Sequence, residues 1–105
     1  MNVVGVSACP TGVAHTYLAA EALTKAFKAR HHNVKIETQG ASGIENELTP
    51  EDINNADYVI LTKDIALKGE ERFKGKKVIR VMSGVVIQKA GAIVKKLEIL
   101  QEKGR

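Results

Sequence analysis

A short, mostly apolar run from Val3 to Ala8 leads directly into Cys9-Pro10-Thr11-Gly12, and a helical pattern begins at Val13. This strand–turn–helix opening limits what the chain can become, because the same alternation then recurs to its end. Val13 to Arg30 places Leu18, Ala19, Ala22, Leu23, Ala26 and Phe27 at the spacing of one buried helix face. Val34, Ile36 and Thr38 alternate with Lys35 and Glu37, which predicts a second, less buried strand, and a glycine-rich loop follows from Gly40 to Gly43. Leu48-Thr49-Pro50-Glu51-Asp52-Ile53 reads as a helix start. Thr49 suits the N-cap and Pro50 the first helical position, while Leu48 and Ile53 can close over the turn. A third strand is expected over Asp57–Thr62 and a fourth over Lys76–Val81. A last helix is expected from about Gly84 to Gln101, with Val86, Ala90, Ile93, Val94, Leu97 and Leu100 as its buried stripe. Alternating strands and helices predict an α/β fold: one three-layer, Rossmann-like domain, with a four-stranded parallel sheet flanked by helices on both faces.

The 105 residues suit a single domain spanning 1–105. The start, Met1-Asn2-Val3-Val4-Gly5, has neither the basic region nor the long apolar core of a secretory signal. No apolar run approaches the roughly 20 residues that span a bilayer. A cytoplasmic location is therefore expected, and a single cysteine, unable to form an internal disulfide, agrees. Net charge is +4 but uneven: residues 1–60 hold four Lys and Arg against seven Asp and Glu, and residues 61–105 hold twelve against five. A basic half can attract nucleic acid, an acidic partner or a membrane surface. Here Lys68, Lys74, Lys76 and Lys77 crowd around turns, and Lys95, Lys96 and Lys103 fit a solvated helix face. With no Trp and only four scattered Tyr and Phe, no stacking platform for bases is suggested, and no nucleic-acid partner is expected.

The chemistry concentrates at the first turn. In open parallel sheets ligands bind beyond the carboxyl ends of the strands, and Cys9 falls there. A free thiol has a pKa of about 8.5, and a helix N-terminus lowers it toward the reactive thiolate. Pro10 fixes φ and keeps Cys9 extended, and Gly12 permits the turn. The backbone N–H groups of Thr11, Gly12, Val13, Ala14, His15 and Thr16 can converge on an anion, assisted by the helix dipole. The hydroxyls of Thr11 and Thr16 can add donors. The run therefore reads as a phosphate-binding loop with Cys9 as nucleophile. Gln39, Gly40, Lys63 and Asp64 end neighbouring strands and are expected near it. His31 and His32 close the first helix and are expected to meet only its last carbonyls. One cysteine and three histidines without paired spacing predict no metal, and no cofactor is expected.

Five residues separate Cys9 from His15, and Thr16 follows. Cysteine phosphatases use a cysteine, five residues, an arginine and a hydroxyl residue. Histidine in place of that arginine keeps the cradle but removes the bidentate clamp that stabilises transfer to water. A phosphocysteine here should persist until another acceptor arrives, as a carrier requires.

Ala8-Cys9-Pro10-Thr11-Gly12-Val13-Ala14-His15-Thr16, followed by Ala19-Ala20-Glu21-Ala22-Leu23, resembles the fructose-family enzyme IIB of the bacterial phosphoenolpyruvate-dependent sugar phosphotransferase system. Glu37-Thr38-Gln39-Gly40, Gly43-Ile44-Glu45-Asn46-Glu47-Leu48-Thr49 and Arg72-Phe73 before Gly75-Lys76 carry the similarity to about residue 82. The resemblance implies a phosphotransferase in which Cys9 takes a phosphoryl group from a phosphohistidine on IIA. It then passes the group to fructose, or a fructose-like sugar, bound in the membrane transporter IIC. A monomer associating with the inner membrane through IIC is expected. Two other readings stay open: a low-molecular-weight phosphatase or arsenate reductase, against which stand the missing arginine and the lack of an Asp-Pro, and a non-enzymatic anion-binding regulatory module.

Overall fold

A computed structural model describes residues 1–10, 13–40 and 43–103. In chain order the elements are β1 (Asn2–Ser7), α1 (Val13–Ala29), β2 (Asn33–Gly40), β3 (Gly43–Glu45), α2 (Pro50–Asn55), β4 (Tyr58–Thr62), a 3-10 helix (Glu70–Phe73), β5 (Val78–Val81) and α3 (Ser83–Lys103). The sheet order is β3-β2-β1-β4-β5. β1 pairs parallel with β2 and β4, and β4 parallel with β5. The four parallel strands are those the alternation predicts.

A fifth strand is added at one edge. β2 runs on through Gly40, β3 starts at Gly43, and the two pair antiparallel with Gly40 opposite Gly43. The two ends of the stretch expected as a loop, Gly40 and Gly43, are thus paired strand residues. Residues 41 and 42 lie outside the described residues. All three residues of β3 are exposed, so no buried face marks it in the sequence.

Both faces of the sheet are covered. On one, Leu23 and Phe27 of α1 and Val86, Val94 and Leu97 of α3 pack on Val3, Ile36 and Ile60. On the other, Leu48, Ile53 of α2, Leu67 and Phe73 of the 3-10 helix pack on Val4, Val6 and Leu61. Burial on both sides explains why β1 and β4 read as continuous apolar runs. Gly5, at the centre of β1, is required by close approach. A Cβ there would stand 2.7 Å from the Ile60 carbonyl oxygen and 3.0 Å from Ile36 Cδ1.

Local chemistry fixes the ends of the helices. Thr49 caps α2 by accepting from the Asp52 N–H at 3.1 Å, and the Asp52 carboxylate accepts from the Thr49 N–H at 2.9 Å. At the C-terminus of α1, His31 takes a left-handed conformation, φ 63°. The His31 N–H then donates to Lys28 O and the His32 N–H to Phe27 O, closing a Schellman motif. The His32 side chain departs from expectation. Its ring reaches Glu98 on α3, Nε2 to Oε2 at 2.7 Å, and it also lies 3.1 Å from the N-terminal amine. Arg30 joins Glu98 through two further hydrogen bonds, so this cluster ties α1 to α3.

Candidate functional site

The carboxyl end of β1 is held from both sides. On the β4 side, Thr62 Oγ1 accepts from the Ala8 N–H at 3.0 Å and donates to the Ala8 carbonyl at 3.1 Å. On the α1 side, Ser7 Oγ donates to the Thr16 carbonyl at 2.9 Å. Ser7, Thr16 and Thr62 are all buried. The backbone is thus fixed immediately before Cys9, which is half-buried, while Pro10 is exposed.

The first turn of α1 lies at the same edge. A helix of 17 residues, with no acidic side chain in its first turn, points the positive end of its dipole at this edge, which favours an anion. His15 stands exposed on that turn, and Thr16 faces the interior. Thr11 and Gly12, and the side chains of Val13 and Ala14, lie outside the described residues.

Three of the four residues expected as neighbours, Asp64, Gln39 and Gly40, have defined surroundings. The Asp64 carboxylate accepts from the Ser83 N–H and from Ser83 Oγ, each at 2.8 Å, and so anchors the start of α3. The Gln39 carboxamide binds the main chain of Lys68 twice: Nε2 donates to its carbonyl and Oε1 accepts from its N–H, both at 2.9 Å. Gly40 lies beside Tyr17: a Cβ there would be in ordinary van der Waals contact with the Tyr17 hydroxyl oxygen, at 3.6 Å. All three sit at the carboxyl edge with Cys9, but both Asp64 oxygens and the Gln39 carboxamide are turned to structural partners.

Two contributors escape a reading by sequence. Glu37 alternates with Ile36 on a strand expected to be less buried, yet it is fully buried. Arg72 embraces it, Nη1 to Oε1 at 2.8 Å and Nη2 to Oε2 at 2.6 Å, and Gln39 Nε2 and the Leu48 N–H each add a bond at 2.9 Å. Burial pushes the Glu37 carboxyl up, but these donors outweigh it and hold the carboxyl below its usual range. Tyr17 is the other: its hydroxyl donates to Glu45 at 2.9 Å and ties β3 to α1 beside the site. The only sequence signal for Glu37 and Arg72 was their presence in the segments that carry the family resemblance.

Residues 4–96 match the family described as PTS system, lactose/cellobiose specific IIB subunit. The chain belongs to the IIB family of the sugar phosphotransferase system. It is 57% identical over 97 residues to the PTS system fructose-like EIIB component 2 of Escherichia coli K12, covering 92% of each chain. The solution structure of an Enzyme IIB subunit of the PTS system from Escherichia coli K12 is 36% identical, with TM-score 0.91 over 99% of this chain and 97% of that one. A thioredoxin-dependent arsenate reductase from Corynebacterium glutamicum is 14% identical with TM-score 0.53, covering 98% of this chain and 62% of that one, and shares the fold alone. As a IIB component, the chain is a phosphoryl carrier with general phosphotransferase activity. Among the described residues no helix is long and apolar enough to cross a membrane, and no group of three or more His, Cys, Asp or Glu could hold a metal ion.

Proposed function

We propose that Cys9 is the residue that carries the phosphoryl group, received from a phosphohistidine on IIA and delivered to fructose or a fructose-like sugar held by IIC. The thiolate sulfur attacks phosphorus as the N–P bond breaks, and the histidine nitrogen keeps that electron pair. A sugar hydroxyl oxygen then attacks phosphorus, the S–P bond breaks, the thiolate leaves and the hydroxyl proton is lost to a base. Sulfur suits both steps, because a thiolate is a competent nucleophile and a competent leaving group.

The observation that carries this reading is the position of Cys9: it emerges from a doubly anchored strand end and leads into the N-terminus of α1. Preorganised donors at that point meet charge as it develops on the transferring group. The exposed apolar side chains of Ile65, Met82 and Val85, in segments that begin at the same edge, and Leu18 of α1 support contact with partner proteins. The carrier works as a monomer in the cytoplasm, meeting IIA and the membrane-bound IIC in turn.

Phosphorelay reconstitution tests the reading. Phosphoenolpyruvate, the two general carrier proteins and a fructose-family IIA are supplied, and the phosphate is mapped by mass spectrometry. The expected result is label on Cys9, lost in Cys9→Ser. Absence of label on Cys9, or a serine variant that accepts phosphate as well as the native chain, overturns it.

A further inference from the structure

The segment that follows β4 takes an unusual route. β1 lies between β4 and β2 in the sheet. Lys63 still bonds the end of β5, its N–H donating to Val81 O at 3.0 Å, and Asp64 reaches Ser83. Four residues later the main chain of Lys68 is bound by Gln39 at the end of β2. Neighbouring strands are about 4.8 Å apart, so β4 and β2 stand about 10 Å from each other with β1 between them. The segment from Lys63 to Lys68 must therefore pass over the carboxyl end of β1, the point from which Cys9 emerges. Leu67 packs in the cluster that contains Ala8 and Val6, which places the crossing on the α2 face. α1 covers the opposite face.

The far end of this strap is pinned by one side chain. Gln39 offers Lys68 the donor and acceptor that a neighbouring strand would offer. Its own orientation is set by Glu37, whose Oε2 accepts from Gln39 Nε2, and Glu37 is in turn held by Arg72. Gly69 completes the anchor. It is left-handed, φ 77°, its carbonyl accepts from Arg72 Nε at 2.8 Å, and a Cβ on it would lie 3.0 Å from that nitrogen.

We infer that Gln39 is a positioning residue for phosphoryl transfer: oriented by the Glu37–Arg72 pair, it fixes the Lys63–Lys68 strap as the second wall of the Cys9 site, opposite α1. This rests on the reading of Cys9 as the phosphoryl carrier and adds what holds the site closed on the α2 face. Gln39 acts through the strap and does not touch the transferring group. A transfer that depends on placement is sensitive to small displacements of its surroundings, and loss of the clamp is expected to slow it about tenfold.

The test compares the native chain, Gln39→Leu and Gln39→Glu in the same relay, with amide exchange at Lys68 and thermal unfolding measured alongside. Gln39 is only half-buried, so both variants are expected to fold. Leucine removes both bonds to Lys68 and one of the four hydrogen bonds to Glu37. Glutamate keeps an acceptor for the Lys68 N–H but has no donor for the carbonyl and sets a second carboxylate against Glu37. The expected result in the leucine variant is a chain that still unfolds cooperatively at a lowered melting temperature, faster exchange at Lys68, and a turnover rate lowered about tenfold with little change in the half-saturating concentration of IIA; the glutamate variant is expected to slow turnover with less effect on Lys68 exchange. Native protection at Lys68 in the leucine variant overturns the inference, as does loss of that protection with a transfer rate within about twofold of native. Failure of the native chain to take label on Cys9 instead overturns the carrier reading on which the inference rests.

Discussion

Glu37 has no solvent exposure, and its two carboxylate oxygens accept four hydrogen bonds from Arg72, Gln39 and the Leu48 N–H. A buried charge is tolerated only with such complete pairing, and the cost of removing one partner exceeds the worth of the pair itself. Arg72→Met leaves the carboxylate without its counter-charge, and the expected loss is about 3 kcal/mol of unfolding free energy in urea titration. Replacing both residues, Glu37→Leu with Arg72→Met, should recover much of that loss, because no charge is then stranded. A double variant as unstable as the single one would show that the guanidinium matters through its packing over the Phe73 ring, 4.9 Å away, and not through charge. Thr62 poses a smaller version of the same problem. Thr62→Val preserves shape but leaves the Ala8 N–H and carbonyl unsatisfied in the interior, at a cost of about 1–3 kcal/mol by thermal or urea unfolding.

At the scale of elements, α2 is only six residues long and owes its position to its cap. Thr49→Ala removes the bond to the Asp52 N–H and is expected to cost about 1 kcal/mol, read as a lower urea midpoint at unchanged slope. A change in slope would instead mean that the short helix melts separately. The cap was legible because Thr49 and Pro50 act within the first helical turn, while the reciprocal bond from Asp52 is seen only in the structure. The four parallel strands were legible for a related reason: each carries a local pattern, a largely apolar run in β1, β4 and β5 and an alternation in β2. β3 was not, since three exposed residues carry no periodic signal and are recruited only by pairing with β2. Glu37 was not, because its alternation with Ile36 says that it points the other way but not that the other face is covered. That cover comes from Leu48 and from Arg72, 35 residues along the chain. The Cys9 turn was legible as a place for anion chemistry from the order strand, Cys-Pro-Thr-Gly, helix. The strap that crosses above it was not, because its course follows from the sheet order and from a side chain bonding a distant main chain.

Across the whole molecule, ion pairs stitch the elements together, and this sets the response to acid. Glu37 on β2 pairs with Arg72 of the 3-10 helix, Asp52 on α2 with Lys35 on β2, Glu70 with Arg80 on β5, and Glu98 on α3 with Arg30 and His32 beyond α1. The Lys35 ammonium and the Thr49 cap hold the Asp52 carboxyl down at about 2. Arg80 lowers Glu70, and Arg30 with His32 lowers Glu98, each against the opposing effect of burial. In the unfolded chain these groups protonate near their ordinary values, about 4. As pH falls, the unfolded state therefore binds protons before the folded state does, and stability is lost. The contribution of these carboxylates is complete above about pH 5 and declines from there toward the low folded-state values. Urea unfolding between pH 6 and pH 3 should show a midpoint that falls with acidity. The exposed pairs are screened by salt, whereas the buried Glu37 pair is screened much less. Added salt should thus flatten only part of the fall, and Glu37→Gln should flatten the remainder while lowering stability at pH 6. A midpoint unchanged down to pH 3 would mean that the layers are held by apolar packing alone and that these pairs are bystanders. Loss of the acid response by salt alone, with none owed to Glu37, would locate it in the surface pairs and leave the Gln39 clamp without the charged anchor assigned to it.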